Sequence, residues 1–455
     1  MQDCNFVSMS ASADAEPAAV WTRAPGKQYS RASGGAGVYL VREDGTKVLD
    51  GSSGAAVSCL GHGHADVTAA IVQQAQQLAF AHSSFFASEP AQKLARMLTK
   101  SSGGAFEKLL ILNSGSEAVE SAIKISRQYA LCNDEPERVN IIARESAYHG
   151  NTIGALSAGH HPGRRGPFVP MLSPVFHHVS PCFFRRDARP GEDESAYVKR
   201  LLADYEEMFI KLGPSTVAAV IVEPVSGATL GAVPAAQGYL AGLRELCDKH
   251  GALLIFDEVM CGMGRIGSQH AWQSLGGVAP DVQTIGKGLA GGYQPISGVL
   301  FSKKISDAIT KSHSTKPFMS GHTYQDHPIG CAAAVATQQA IIQDNLLENV
   351  RATGELLKNK LKAEVPLLKE IRGMGLFVAV EFATETHDKP IGAEVAAACL
   401  KNGAAVYLCS DLVDAILFAP PYIISADEID ELVGIFVKST REVLNSRSIG
   451  VNGHG

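Results

Sequence analysis

Thr284-Ile285-Gly286-Lys287-Gly288-Leu289-Ala290-Gly291-Gly292 decides the reading of this 455-residue chain, because it sets a lysine among glycines 30 positions after the aspartate of Ile255-Phe256-Asp257-Glu258-Val259. A lysine amine can form a Schiff base with an aldehyde, and an aspartate can keep a pyridine nitrogen protonated; pyridoxal phosphate chemistry needs both. Glycines on either side remove the Cβ atoms that would hold a planar ring away from the backbone. Taken alone, a lysine beside glycines also fits a surface loop, so the rest of the chain has to carry the argument.

Upstream, the apolar run Leu109-Leu110-Ile111-Leu112 reads as a buried strand that passes through Asn113-Ser114-Gly115-Ser116-Glu117 into a helical pattern with Ala118, Ile123 and Ile125. A strand turning into a helix through Ser-Gly-Ser leaves free N–H groups and two hydroxyls at a helix N-terminus, where the dipole favours an anion such as phosphate. An ordinary capped helix needs only one of those serines and fits the segment in isolation equally well. Tyr148-His149-Gly150 follows another predicted strand end. There a tyrosine can stack on a pyridine ring and the histidine can hydrogen-bond the aspartate that holds the ring nitrogen, although a packed turn would look the same.

The wider pattern is that of an α/β protein. From about residue 65 to 325 apolar strands alternate with helical stretches, clearest at Val139 to Ala143, Ala218 to Val222 and Ala252 to Phe256. Such alternation predicts a mostly parallel sheet covered on both faces, with ligands at the carboxyl ends of its strands, where Asn113, Glu223 and Asp257 fall. Val38-Tyr39-Leu40-Val41 and Lys47-Val48-Leu49-Asp50 read as a hairpin around Asp44-Gly45. After Ile329 come helices through Ala332 to Ile342 and near Leu346 to Leu361, then a strand at Leu376 to Val380. The expected division is an N-terminal segment 1–64 that joins a small domain, a large cofactor-binding domain 65–329 and a C-terminal small domain 330–455.

Composition narrows the function classes. A formal charge of −6 argues against general nucleic-acid binding, and 45% hydrophobic residues with 45 glycines fit an enzyme rich in strand-to-helix turns. The nine cysteines show no paired spacing and read as reduced, buried thiols. Met1 to Val20 lacks the basic start and apolar core of a signal peptide, and no apolar run reaches the length of a membrane span of about 18 residues, so a cytoplasmic setting is expected. Ser10 to Pro17 is expected to be mobile. His62-Gly63-His64, His160-His161 and His177-His178 lack the spacing of a zinc site and read as turn and surface histidines. Arg185-Arg186 reads as a solvated face, while Arg164 and Arg165, on the loop after Tyr148, are candidates for the substrate entrance. Phe85-Phe86 reads as core packing.

Taken in order, Asn113-Ser114-Gly115-Ser116-Glu117, Tyr148-His149-Gly150, Glu223-Pro224, Asp257-Glu258-Val259, Gly264-Arg265, Lys287-Gly288, Gly321-His322-Thr323-Tyr324 and Phe418-Ala419-Pro420-Pro421 resemble the class III (ω-amino acid) aminotransferases, pyridoxal phosphate enzymes of fold type I. The resemblance runs from about Gly37 to about Val443. It implies a large domain with a mostly parallel seven-stranded sheet plus a smaller α+β domain. It also implies roles: Lys287 as the cofactor-linking and proton-moving lysine, Asp257 on the pyridinium nitrogen, Gly115 and Ser116 on the phosphate, Tyr148 and Val259 on the two ring faces, and Glu223 in the polar support. Thr323 is expected to complete the phosphate site of the partner subunit in a homodimer, and the segment with Phe85 and Phe86 to border the substrate pocket across that dimer.

Departures from the family pattern bear on substrate. Ornithine- and aminobutyrate-type members carry an arginine two residues before Ala-Pro-Pro and a glutamate five residues after the Glu of Glu-Pro; here those positions are Leu417 and Ala228. No arginine occurs between Arg372 and Arg441, so the amine:pyruvate-type clamp is missing too. Ala56 falls where some amine:pyruvate members carry a bulky aromatic. The expectation is transamination between a primary amine or ω-amino compound and a keto acid or aldehyde. A pyridoxal phosphate-dependent aminomutase or decarboxylase on the same fold is one alternative, and a non-catalytic nucleotide-binding protein is a remote one.

Overall fold

The computed structural model describes residues 19–383 and 389–451, without the side chains of 448–451. The stretch Ser10 to Pro17 lies outside the described residues. The centre of the molecule is a seven-stranded sheet. Its strands run, in spatial order, Lys108–Leu112, Ser297–Phe301, Val282–Ile285, Leu253–Asp257, Val217–Val222, Asn140–Arg144 and Phe176–Val179. Only Ser297–Phe301 is antiparallel to its neighbours. Val217–Val222 (Val-Ala-Ala-Val-Ile-Val) is buried at all six positions, because helices cover both faces and no side chain of a central parallel strand reaches water. Each large aliphatic side chain buried there contributes about 1.5 to 3 kcal/mol.

The helix Gly115–Cys132 starts where the Lys108–Leu112 strand ends, and its start is fixed by reciprocal bonds. Ser114 Oγ accepts from the Glu117 N–H at 3.2 Å, and the Glu117 carboxylate accepts from the Asn113 N–H at 2.9 Å. This locks the Ser-Gly-Ser turn at the carboxyl edge of the sheet.

Two smaller sheets join the chain's ends. Ala32–Ala36, Tyr39–Arg42 and Lys47–Asp50 form an antiparallel meander, and Lys47–Asp50 pairs in parallel with Ala404–Ala405 near the C-terminus. Leu368–Met374, Phe377–Phe382, Ala415–Phe418 and Tyr407–Leu408 form an antiparallel sheet. Arg265 binds this C-terminal sheet to the loop after Asp257: it is fully buried, lies over the Tyr422 ring at 4.6 Å and donates to the carbonyls of Leu376 and Pro420. The segment Tyr407 to Ser410, which begins with the Tyr407–Leu408 strand, lies at the carboxyl edge of the central sheet. Among the described residues no helix is long and apolar enough to cross a membrane.

Candidate active site

A cavity of about 270 Å³ opens at that carboxyl edge, with Lys287 and Asp257 in its wall. Asp257 ends the Leu253–Asp257 strand, and the parallel register sets it opposite Thr284, three residues before Lys287 on the neighbouring strand. The Asp257 carboxylate is buried and held from three sides. His149 Nδ1 donates to Oδ2 at 2.8 Å, while Thr284 Oγ1 and the Val259 N–H donate to Oδ1 at 2.9 and 3.1 Å. Three donors fix the carboxylate in direction. Thr284 lies inside the lysine stretch of the sequence and could have been found there from strand pairing with Asp257.

Lys287 has a left-handed backbone, φ +45°, a conformation that costs a side-chain-bearing residue about 1 to 2 kcal/mol. Burial pushes its ammonium down to about 8, against the opposing pull of the Asp257 and Glu223 carboxylates. Glu223, at the end of the Val217–Val222 strand, accepts from the N–H groups of Tyr148 and Gly227 at 3.3 and 3.1 Å. Burial raises its carboxyl above the usual range even though His149 and Arg144 favour the charged form.

Gly115, Ser116, Tyr148, His149 and Val259 line the same cavity. A Cβ on Gly115 would sit 2.8 Å from Val259 Cγ1, so only glycine lets the helix start approach this closely. Gly150, at φ +136°, packs where a Cβ would lie 2.6 Å from Ser116 Oγ, and Ser116 Oγ accepts from the Asn151 N–H at 3.0 Å. The arrangement fits pyridoxal phosphate: an amine, a fixed carboxylate, an aromatic and an aliphatic wall, and the N-terminus of an 18-residue helix at one end.

The substrate candidates divide. Arg164 lines the cavity and its guanidinium lies 5.0 Å from the centroid of the Tyr148 ring, whereas Arg165, next to it, does not line the cavity. Ala228 lines it. Leu417 does not; strand pairing with Tyr407 and Ala379 turns it into a buried apolar cluster behind the pocket. Ala56 is buried in that same cluster, and its neighbour Ala55 faces the cavity instead. Phe85 and Phe86 are 76% and 69% exposed, so they are not core residues of this chain. Thr323 is exposed and away from the cavity. His161, which the sequence suggests is a turn or surface histidine, lines the cavity too, as do Thr229, Met260 and the segment Tyr407 to Ser410, which sequence reasoning did not single out.

Fold and pocket together define a pyridoxal phosphate enzyme of fold type I. The family model for class-III aminotransferases matches residues 23–439. The chain is 40% identical over 419 residues to an uncharacterized aminotransferase of Schizosaccharomyces pombe, covering 89% of this chain and 90% of that one. Among solved structures, a transaminase obtained by ancestral reconstruction superposes with a TM-score of 0.87 at 33% identity, covering 92% of this chain and 93% of its own. The omega transaminase of Pseudomonas jessenii in complex with PMP gives 0.87 at 28%, covering 96% and 98%. The chain belongs to the class III aminotransferases, and it depends on pyridoxal phosphate. The aminomutase, decarboxylase and nucleotide-binding alternatives gain no support from these relatives.

Proposed function

We propose that this aminotransferase takes its amino group from a primary amine or ω-amino compound with an apolar body and passes it to a keto acid or aldehyde. The observation that carries the reading is the single cavity uniting Lys287, the triply held Asp257 and a wall with Ala228 at the position of the family's glutamate, while Leu417, at the position of its arginine, is buried behind that wall. When bound, pyridoxal phosphate supplies an electron sink for the bond broken at the amino-bearing carbon. Lys287 would hold the cofactor through Nζ and, once released, its amine would move the proton between that carbon and the cofactor carbon on the other side of the nitrogen. Asp257 keeps the ring nitrogen positively charged, with His149 and Thr284 fixing its direction. Gly115 and Ser116 receive the phosphate at the helix N-terminus, Tyr148 and Val259 confine the ring, and Glu223 orders the backbone beside it.

Arg164 is the cation for an acceptor carboxylate, since burying an α-carboxylate without a partner would cost several kcal/mol. The working form is a homodimer in which Thr323 completes the partner's phosphate site, with Phe85 and Phe86 at the border between subunits; their exposure in the single chain supports this. A cytoplasmic, reducing setting rests on the unpaired cysteine spacing. The three-part division at 64/65 and 329/330 is supported by the pairing of Lys47–Asp50 with Ala404–Ala405. Borohydride reduction of the holoenzyme followed by peptide mapping tests the core of this reading: the label is expected on Lys287, and a label on any other lysine overturns it. A panel of amines against pyruvate, 2-oxoglutarate and simple aldehydes tests the substrate class.

A further inference from the structure

The turn that carries Lys287 is held from a remote part of the chain. Lys287–Leu289 makes one short turn, closed by the Leu289 N–H on the Gly286 carbonyl at 2.9 Å and the Gly291 N–H on the Lys287 carbonyl at 3.2 Å. Strain like that of the left-handed Lys287 lasts only where the surroundings over-determine the backbone. Among the described residues, two side chains from outside hydrogen-bond to residues 286–290. Gln338 Nε2 donates to the Gly288 carbonyl at 3.0 Å and to the Leu289 carbonyl at 2.8 Å. Cys59 Sγ adds a weaker bond to the Gly288 carbonyl at 3.4 Å.

Gln338 sits on the helix Pro328–Gln343, whose buried positions are mostly small or aliphatic, and it is 1% exposed. An amide buried in such company is costly unless its donors and acceptor are met. Here they are. Its two N–H groups face two carbonyls, and its Oε1 accepts from Gln269 Nε2 at 2.7 Å. The reverse orientation would set Oε1 against two carbonyl oxygens, so the amide faces the turn with its donors. Gln338 does not line the cavity, and it reaches the chemistry only through this turn. The contact crosses the division proposed at 329/330, tying the turn of Lys287 to the C-terminal part of the chain.

We propose that Gln338 is a positioning residue for Lys287: by holding the carbonyls of Gly288 and Leu289 it keeps the amine where it captures the aldehyde of pyridoxal phosphate. This rests on the reading of Lys287 as the cofactor-linking lysine. Capture joins Nζ to the aldehyde carbon as a C=N bond; the aldehyde oxygen leaves as water with both protons of the neutral amine, and nothing is oxidised or reduced. An amine confined to one place reacts as if highly concentrated, and a turn free to relax gives that advantage up.

The test mixes pyridoxal phosphate with the apoenzymes of the native protein, Gln338→Met and Gln269→Met in a stopped-flow spectrometer, following the visible band of the lysine-bound cofactor at fixed pH. The half-saturating cofactor concentration reports binding, and the limiting rate reports capture. Gln338→Met, similar in length but without a donor, is expected to lower the limiting rate about tenfold and to leave the half-saturating concentration within about twofold. Gln269→Met, at a half-buried position, leaves the Gln338 amide in place but removes the partner of its Oε1, and about a threefold slowing is expected. A merely structural role would lower Tm and the competent fraction of apoenzyme while sparing the limiting rate. A native limiting rate in folded Gln338→Met, or an effect confined to the half-saturating concentration, overturns the proposal; if Gln338→Met does not fold, Gln269→Met decides by the same readout. Borohydride labelling of the native holoenzyme separates the two claims. A label away from Lys287 sinks the reading of that lysine, whereas a label on Lys287 with an unchanged rate in the variant sinks the role of Gln338 alone.

Discussion

The two halves of the cavity are built differently. The cofactor half is made at the ends of central strands: Asp257, Glu223 and Thr284 sit on neighbouring strands in fixed register, and Gly115 begins a helix that follows directly from another. Its polar groups are buried, and the Asp257 and Glu223 carboxylates each accept more than one hydrogen bond. The substrate half is made of loops and short elements drawn from three parts of the chain, around His161 and Arg164, around Ala228 and Thr229, and from Tyr407 to Ser410. Chemistry common to a whole family can rest on the strands, whereas selectivity rests on loops that can change without disturbing the sheet.

If that contrast is right, substitutions in the strand half should damage every substrate alike and those in the loop half should be selective. The largest effect is expected at Lys287, where Lys287→Ala should abolish turnover with any donor, read by loss of both activity and the visible cofactor band. Asp257→Asn is expected to slow all donors by about a thousandfold, because the ring nitrogen loses a charged partner in a dry site; near-normal activity in a cofactor-saturated variant would contradict the contrast at its strongest point. In the loop half, Arg164→Ala should raise KM for a keto acid about ten- to a hundredfold, and much less for an aldehyde, which steady-state kinetics with both acceptors would separate. A smaller, graded effect concerns pH. With the Lys287 ammonium held down to about 8, the neutral amine that captures the cofactor grows about tenfold per pH unit below that value and levels off above it. Stopped-flow reconstitution of the apoenzyme should therefore accelerate with pH and inflect near 8.

The same contrast explains what could be read from the sequence. Lys287, Asp257, Gly115, Ser116, Tyr148 and His149 lie where apolar strands run out into turns, and such positions have a period and a direction that the sequence displays. Thr284 was equally within reach, since it shares a strand with the lysine stretch. Tyr407 to Ser410 was not, because its strand is only two residues long and it meets the cavity only through the packing of the C-terminal sheet on Arg265. Leu417 and Ala56 show the reverse case. Leu417 pairs with the cavity-lining Tyr407 yet is itself buried in the cluster behind the wall, and a shift of one residue exchanges Ala56 for Ala55.

The left-handed backbone at Lys287 has an evolutionary side. Glycine would hold this conformation without steric penalty, so the residue that best suits the backbone is one that can do no chemistry. Among inactive apoproteins, Lys287→Gly should resist heat better than Lys287→Ala, which loses the amine but keeps the steric penalty. A lineage released from selection for catalysis would then gain stability at the very position it had to keep while active, and a glycine there would mark a descendant that has given up transamination for good.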